Sequence, residues 1–152
     1  MELTMRTPDG KPFRSVKLKK TTDRMSKNMD KGLVQAAILL QGSIKKDFLS
    51  GQVLNVRSNR LRSSVTYTNP EGSPGGRFLK VGTNVKYAPI HEYGATIVPK
   101  TAKVLRFNIP GVGWRSAHKV IIPPRPFMKP ALKDNSDKIV RIIQKSVTKE
   151  FI

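Results

Sequence analysis

The sequence predicts an α+β domain: an antiparallel β-sheet with a long β-hairpin, packed against an N-terminal and a C-terminal α-helix. Three observations predict it. Apolar residues recur at helical spacing over 23–49 and again over 131–151. The stretch between them, 53–122, is rich in β-formers and broken by Gly and Pro. No internal repeat divides the 152 residues, which suffice for one hydrophobic core. The reading is an extended arm over 1–21 followed by a single domain over 22–152.

The arm carries Pro8, Gly10 and Pro12 and shows no sustained period, with a short strand expected at Ser15–Leu18. It is either a segment that orders on a neighbouring subunit or a loose terminus. In the first helix, Met25, Met29, Leu33, Leu40, Ile44 and Phe48 form the apolar stripe, Thr22 is the expected N-cap and Gly51 the stop. Gly32 and Gly42 each cost about 1 kcal/mol relative to Ala inside a helix, so close packing is expected where they fall.

Alternation over Ser63–Thr68 predicts a strand, and the turn cluster Asn69–Gly76 cannot be helical. Arg77–Thr83 reads as a strand ending at Gly82. Val104–Ile109 and Lys119–Ile122 read as the arms of a hairpin around Pro110–Gly113, with Leu105, Phe107 and Ile109 on one face and Val104, Arg106 and Asn108 on the other. Four prolines within 123–130 forbid helix and pin an extended approach to the last helix, where Phe127 is expected to plug the core. In that helix Leu132, Ile139, Ile142, Ile143, Val147 and Phe151 make the stripe, with Asp134 and Asp137 early and Lys145 and Lys149 late, as the helix dipole prefers.

Charge dominates the chemistry. The chain holds 29 Lys and Arg against 10 Asp and Glu, a net charge of +19. The excess is even along the chain, with 14 basic and 5 acidic residues up to position 62 and 15 and 5 after it. Solubility needs only about 2–8 charges, so an acidic counterpart is expected: nucleic acid, an acidic protein or an anionic surface. The absence of cysteine excludes disulfide scaffolds, thiolate zinc sites and iron–sulfur clusters. The longest apolar run, Leu33–Leu40, is too short for a bilayer, and the charged first twenty residues do not read as a secretory signal.

Catalytic chemistry finds no foothold. His91 precedes Glu92, but neighbours on a strand face opposite ways, and no carboxylate pair has the spacing of a two-metal or glycosidase site. No phosphate loop matches, and the two histidines are too few for a metal cage. No enzyme, metal or cofactor is expected. Phe78, Tyr87, Tyr93, Phe107 and Trp114 are either stacking platforms among the cations or core residues.

Four stretches together resemble a known group: Val56–Ser64 (VRSNRLRSS), Val81–Gly94 (VGTNVKYAPIHEYG), Ile97–Phe107 and Ile122–Leu132 (IPPRPFMKPAL). In order and spacing they resemble the head–tail joining (neck) and tail-completion minor structural proteins of tailed bacteriophages, over about residues 23–150. The first stretch is similar to a turn that commonly carries Thr-Gly, where this chain has Ser58-Asn59. The resemblance implies a virion protein assembled in the host cytoplasm. It implies a ring of six or twelve copies at the neck, with connector and tail-tube proteins as neighbours, DNA passing through the channel, no membrane and no catalysis. Subunit-interface candidates under it are Tyr87, His91 and Tyr93 as anchors, Trp114 at the hairpin tip, and Glu92 with Arg125 as a pair within or across subunits. The alternative is a standalone basic nucleic-acid-binding protein, which the charge alone supports.

Overall fold

A computed structural model describes residues 15–51, 53–54, 59–73 and 76–148, with backbone alone for 15–21 and 73. The fold is α+β, with an N-terminal and a C-terminal helix packed together and on small antiparallel strand pairs. Helix α1 spans Ser15–Ser43 and continues into a π-helical turn over Ile44–Phe48. It begins well before position 23: the last proline ahead of it is Pro12, and nothing in Ser15–Thr22 interrupts a helix. The strand expected at Ser15–Leu18 is therefore replaced by helix, and Thr22 lies inside α1 rather than capping it. The rest of the expected arm, residues 1–14, lies outside the described residues.

A short helix α2, Arg60–Ser64, takes the first two residues of the strand expected over Ser63–Thr68. It starts at Asn59, whose φ of 55° is left-handed. Glycine reaches that region most readily and Asn tolerates it, so the turn is accessible with Asn at this position. Strand β1, Thr66–Tyr67, pairs with β4, Val81–Gly82. Between them the turn cluster supports a small ribbon of β2, Glu71–Ser73, and β3, Gly76–Phe78. Arg77 on β3 forms a two-pronged ion pair with Asp30 on α1, with Nη2 to Oδ2 at 2.7 Å, and so ties ribbon to helix.

Helix α3, Ala88–Tyr93, follows; then β5, Ala95–Ile97, β6, Leu105–Ile109, β7, Gly113–Ala117, and β8, Val120–Ile122. The hairpin exists, but its second arm is β7 rather than 119–122. Gly111 and Gly113 take φ of +82° and +89°, and the Val112 N–H reaches the Ile109 carbonyl at 3.0 Å. So tight a turn sets Gly113 opposite Ile109 and leaves β8 to pair with β5, Ile97 facing Val120 and Ala95 facing Ile122. Among the described residues the strands form four two-stranded ribbons, all antiparallel.

Helix α4, Met128–Thr148, packs along α1. Gly32 makes that approach possible: a Cβ there would lie 2.9 Å from Ser146 Cβ and 3.3 Å from Ile143 Cα. Gly42 has open space around it, so the expectation of close packing holds at one glycine and not the other. Ile139, Ile142, Ile143 and Val147 are half-buried as the periodicity requires, whereas Leu132 is exposed. Ala131 and Asn135 take the innermost positions. The Asn135 amide donates to the Ser43 hydroxyl (3.0 Å) and the Ala131 carbonyl (2.8 Å), so it is paired despite burial. The core gathers Ile44, Leu49, Leu54, Val65, Val85, Ala88, Phe127 and Ala131. Phe127 is fully enclosed, as expected of the residue that docks the last helix.

Candidate functional site

The residues singled out in the sequence fall on α3, on the proline-rich lead-in to α4 and on the β6–β7 hairpin. Residues 88–93 are helical, not the extended segment assumed for His91 and Glu92. Pro89 sits in the first turn, where a missing N–H costs nothing. The Ala88 N–H reaches the Val85 carbonyl at 3.0 Å, and the Ile90 N–H the Tyr87 carbonyl at 3.1 Å. The segment gives Val85 and Ala88 to the core; Tyr87 lies largely at the surface and Ile90 is half-buried. Gly94 ends the helix at φ 73°, ψ 168°. A Cβ there would meet the Ile122 carbonyl at 2.9 Å and the Pro124 ring at 3.0 Å.

The turn of α3 decides the fate of Glu92. Its side chain points inward and is 7% exposed. Oε2 accepts the N–H groups of Phe127 (2.8 Å) and Met128 (3.0 Å), and Oε1 accepts that of Lys129 (3.0 Å). These donors open α4, where the first N–H groups have no partner within the helix and the dipole is positive. Glu92 thus caps α4 from another helix, with charge-assisted bonds. The expected pairing of Glu92 with Arg125 does not form within the chain, because both carboxylate oxygens are committed to backbone donors. Arg125 instead anchors through its backbone: its N–H meets the His91 carbonyl at 2.6 Å, and its side chain is exposed.

Tyr87 and His91 stack edge to face, ring centroids 5.8 Å apart, with His91 half-buried. Tyr93 is 65% exposed and carries Lys129 Nζ 4.9 Å from its ring centre, a cation–π contact across the same joint. The two stretches Val81–Gly94 and Ile122–Leu132 are therefore one structural unit, a joint with a buried carboxylate inside and an aromatic, cationic skin outside. Sequence reasoning missed the cap. Its signal was available: an acidic residue among apolar neighbours, and a helix start at Met128 with no Ser, Thr, Asp or Asn near it to serve as a local cap.

Trp114 lies apart from the joint, one residue inside β7, opposite Asn108 and 66% exposed. Ile109 and Val112 beside it are exposed too. On the β5–β8 ribbon and its exit, Val98 and Ile121 are 55% and 64% exposed. Among the described residues, no group of three or more His, Cys, Asp or Glu is placed to hold a metal, and no helix is long and apolar enough to cross a membrane. No protein-family model matches the chain, and neither a curated protein nor a solved structure matches it significantly.

Proposed function

We propose that this chain is a structural subunit of a tailed-phage virion, assembling as a ring of six or twelve copies at the neck, where it completes the tail or joins it to the connector. The observation that carries the reading is a surface unfinished as a monomer. Isolated two-stranded ribbons are marginal on their own, and an open ribbon edge offers unpaired backbone groups to another chain. Here such ribbons expose Val98, Ile121 and Trp114 beside the aromatic joint of Tyr87 and Tyr93. A neighbouring subunit would cover both. The union of the Val81–Gly94 and Ile122–Leu132 stretches through Glu92 gives those two stretches a shared structural purpose.

Charge sets the conditions of assembly. Six copies at +19 would carry +114, and exposed charges repel within a Debye length of about 8–10 Å. Ring formation is therefore driven by acidic neighbours in the connector or tail, or by DNA in the channel. A second reading, a standalone nucleic-acid-binding protein, is favoured by the charge alone. Electron microscopy of virions carrying a tagged copy separates the two. A ring of the tagged protein at the head–tail junction is expected. Virions without the protein, together with sub-micromolar nucleic-acid binding by the purified chain, would establish the second reading instead.

A further inference from the structure

Among the described residues the β6–β7 hairpin makes no extensive contact with any other helix or strand. Its register sorts its side chains. Arg106 faces Ser116 and Asn108 faces Trp114, so these four share one face, and all four are exposed. Each carries an N–H or O–H donor: guanidinium, hydroxyl, carboxamide and indole. The other face carries Leu105, Phe107 and Ala117, all half-buried, together with Ile109 and Arg115, which are exposed.

No carboxylate lies near that face in the sequence. The chain has no Asp or Glu between Glu92 and Asp134, while Lys100, Lys103, Arg106, Arg115 and Lys119 lie on or beside the hairpin. Glu92, the nearest acid in sequence, is buried and spent on the α4 cap. A narrow cationic ribbon with a donor at each of these four positions complements an anionic polymer rich in acceptor oxygens. A two-stranded ribbon also has the width that the major groove of duplex DNA admits.

We propose that the Arg106–Asn108–Trp114–Ser116 face of the hairpin is a contact surface for duplex DNA, binding phosphates without sequence preference. The inference rests on the neck reading for its biological setting, and it names which surface would face the DNA. The chain supplies its own reporter, since Trp114 is the single tryptophan.

The test titrates the full chain with a 25-base-pair duplex at 50 mM salt, following Trp114 emission and the anisotropy of labelled DNA together. Both are expected to change with one midpoint. The Arg106→Gln variant should bind about tenfold more weakly at that salt, with the salt slope reduced by about 0.9, as one lost phosphate contact requires. The charge-matched Lys138→Gln variant, altered on the exposed side of α4, should keep the wild-type slope. Three results overturn the proposal: anisotropy rising while Trp114 emission stays fixed, equal losses in the two variants, or poly-glutamate engaging Trp114 more tightly than DNA, which would make an acidic protein the occupant. Incorporation into virions is scored separately. A chain found at the neck whose Trp114 ignores DNA refutes this inference alone, and one that binds DNA through Trp114 but is absent from virions refutes the neck reading alone.

Discussion

Replacing Glu92 by Gln tests the joint most directly. Gln keeps the length of the side chain but presents one oxygen where Glu presents two. That oxygen can retain the N–H groups of Phe127 and Met128, both bound by Oε2. The new NH₂ then faces the N–H of Lys129, donor against donor. The variant loses one charge-assisted hydrogen bond, about 1.5–3 kcal/mol, and the attraction of a carboxylate for the helix N-terminus, about 0.3–1 kcal/mol. Allowing for partial rehydration of Lys129, which lies toward the surface, the expected loss is about 2–3 kcal/mol. At about 2–4 °C per kcal/mol for a domain of this size, Tm should fall by roughly 4–12 °C. Glu92→Ala removes both acceptor oxygens and with them all three hydrogen bonds, one of them from a donor at buried Phe127, and should cost about 4 kcal/mol. Urea and thermal unfolding followed by far-ultraviolet circular dichroism measure both. Glu71→Gln, which removes an exposed carboxylate from β2, serves as control and should stay within about 0.5 kcal/mol of wild type. Should Glu92→Gln match that control, the carboxylate is not what holds the start of α4.

Further outcomes follow from the packing. Gly32→Ala should destabilise by about 1 kcal/mol net, since overpacking against Ser146 and Ile143 outweighs the gain in helix propensity. Gly42→Ala, in open space, should stabilise by about 0.5–1 kcal/mol, and paired urea titrations will show whether the two signs differ. Gly94→Ala forces a Cβ against the Ile122 carbonyl at a backbone conformation nearly exclusive to glycine, and a loss of about 2–3 kcal/mol is expected in the same assay. Phe127→Ala should cost about 3–5 kcal/mol, read from its urea midpoint. In sedimentation velocity at low salt the purified chain should run as a monomer or a weakly associating species; a tight ring there would refute assembly driven by acidic partners.

How much of this was legible depends on the range of the determining interaction. Helical periodicity located α1 and α4 because it is local, and Phe127 was identifiable because only a large apolar residue in a proline-pinned approach can seal a docking helix. The start of α1 escapes the pattern because Ser15–Thr22 carries no sustained apolar period, although its lysines, Lys17, Lys19 and Lys20, are good helix formers. Pro89 marks a helix start, but its locked φ fits an extended segment as well, so the residue alone does not tell the two apart. The pairing of β8 with β5 and the reach of Glu92 to Phe127 are long-range choices that no local pattern encodes. For the same reason the contact of Tyr93 with Lys129 has no signal in the sequence: it exists only because the cap brings α4 beside α3.

The β5–β8 ribbon and the Glu92 cap together close the chain on either side of the hairpin, so that everything from Val98 to Lys119 leaves and re-enters the body through one clamped doorway. A protrusion rooted in that way is interchangeable. Its length and tip can be rewritten by insertion, deletion or grafting while the scaffold beneath keeps its shape, which frees natural variation to retune what the protrusion touches without risking what holds it up.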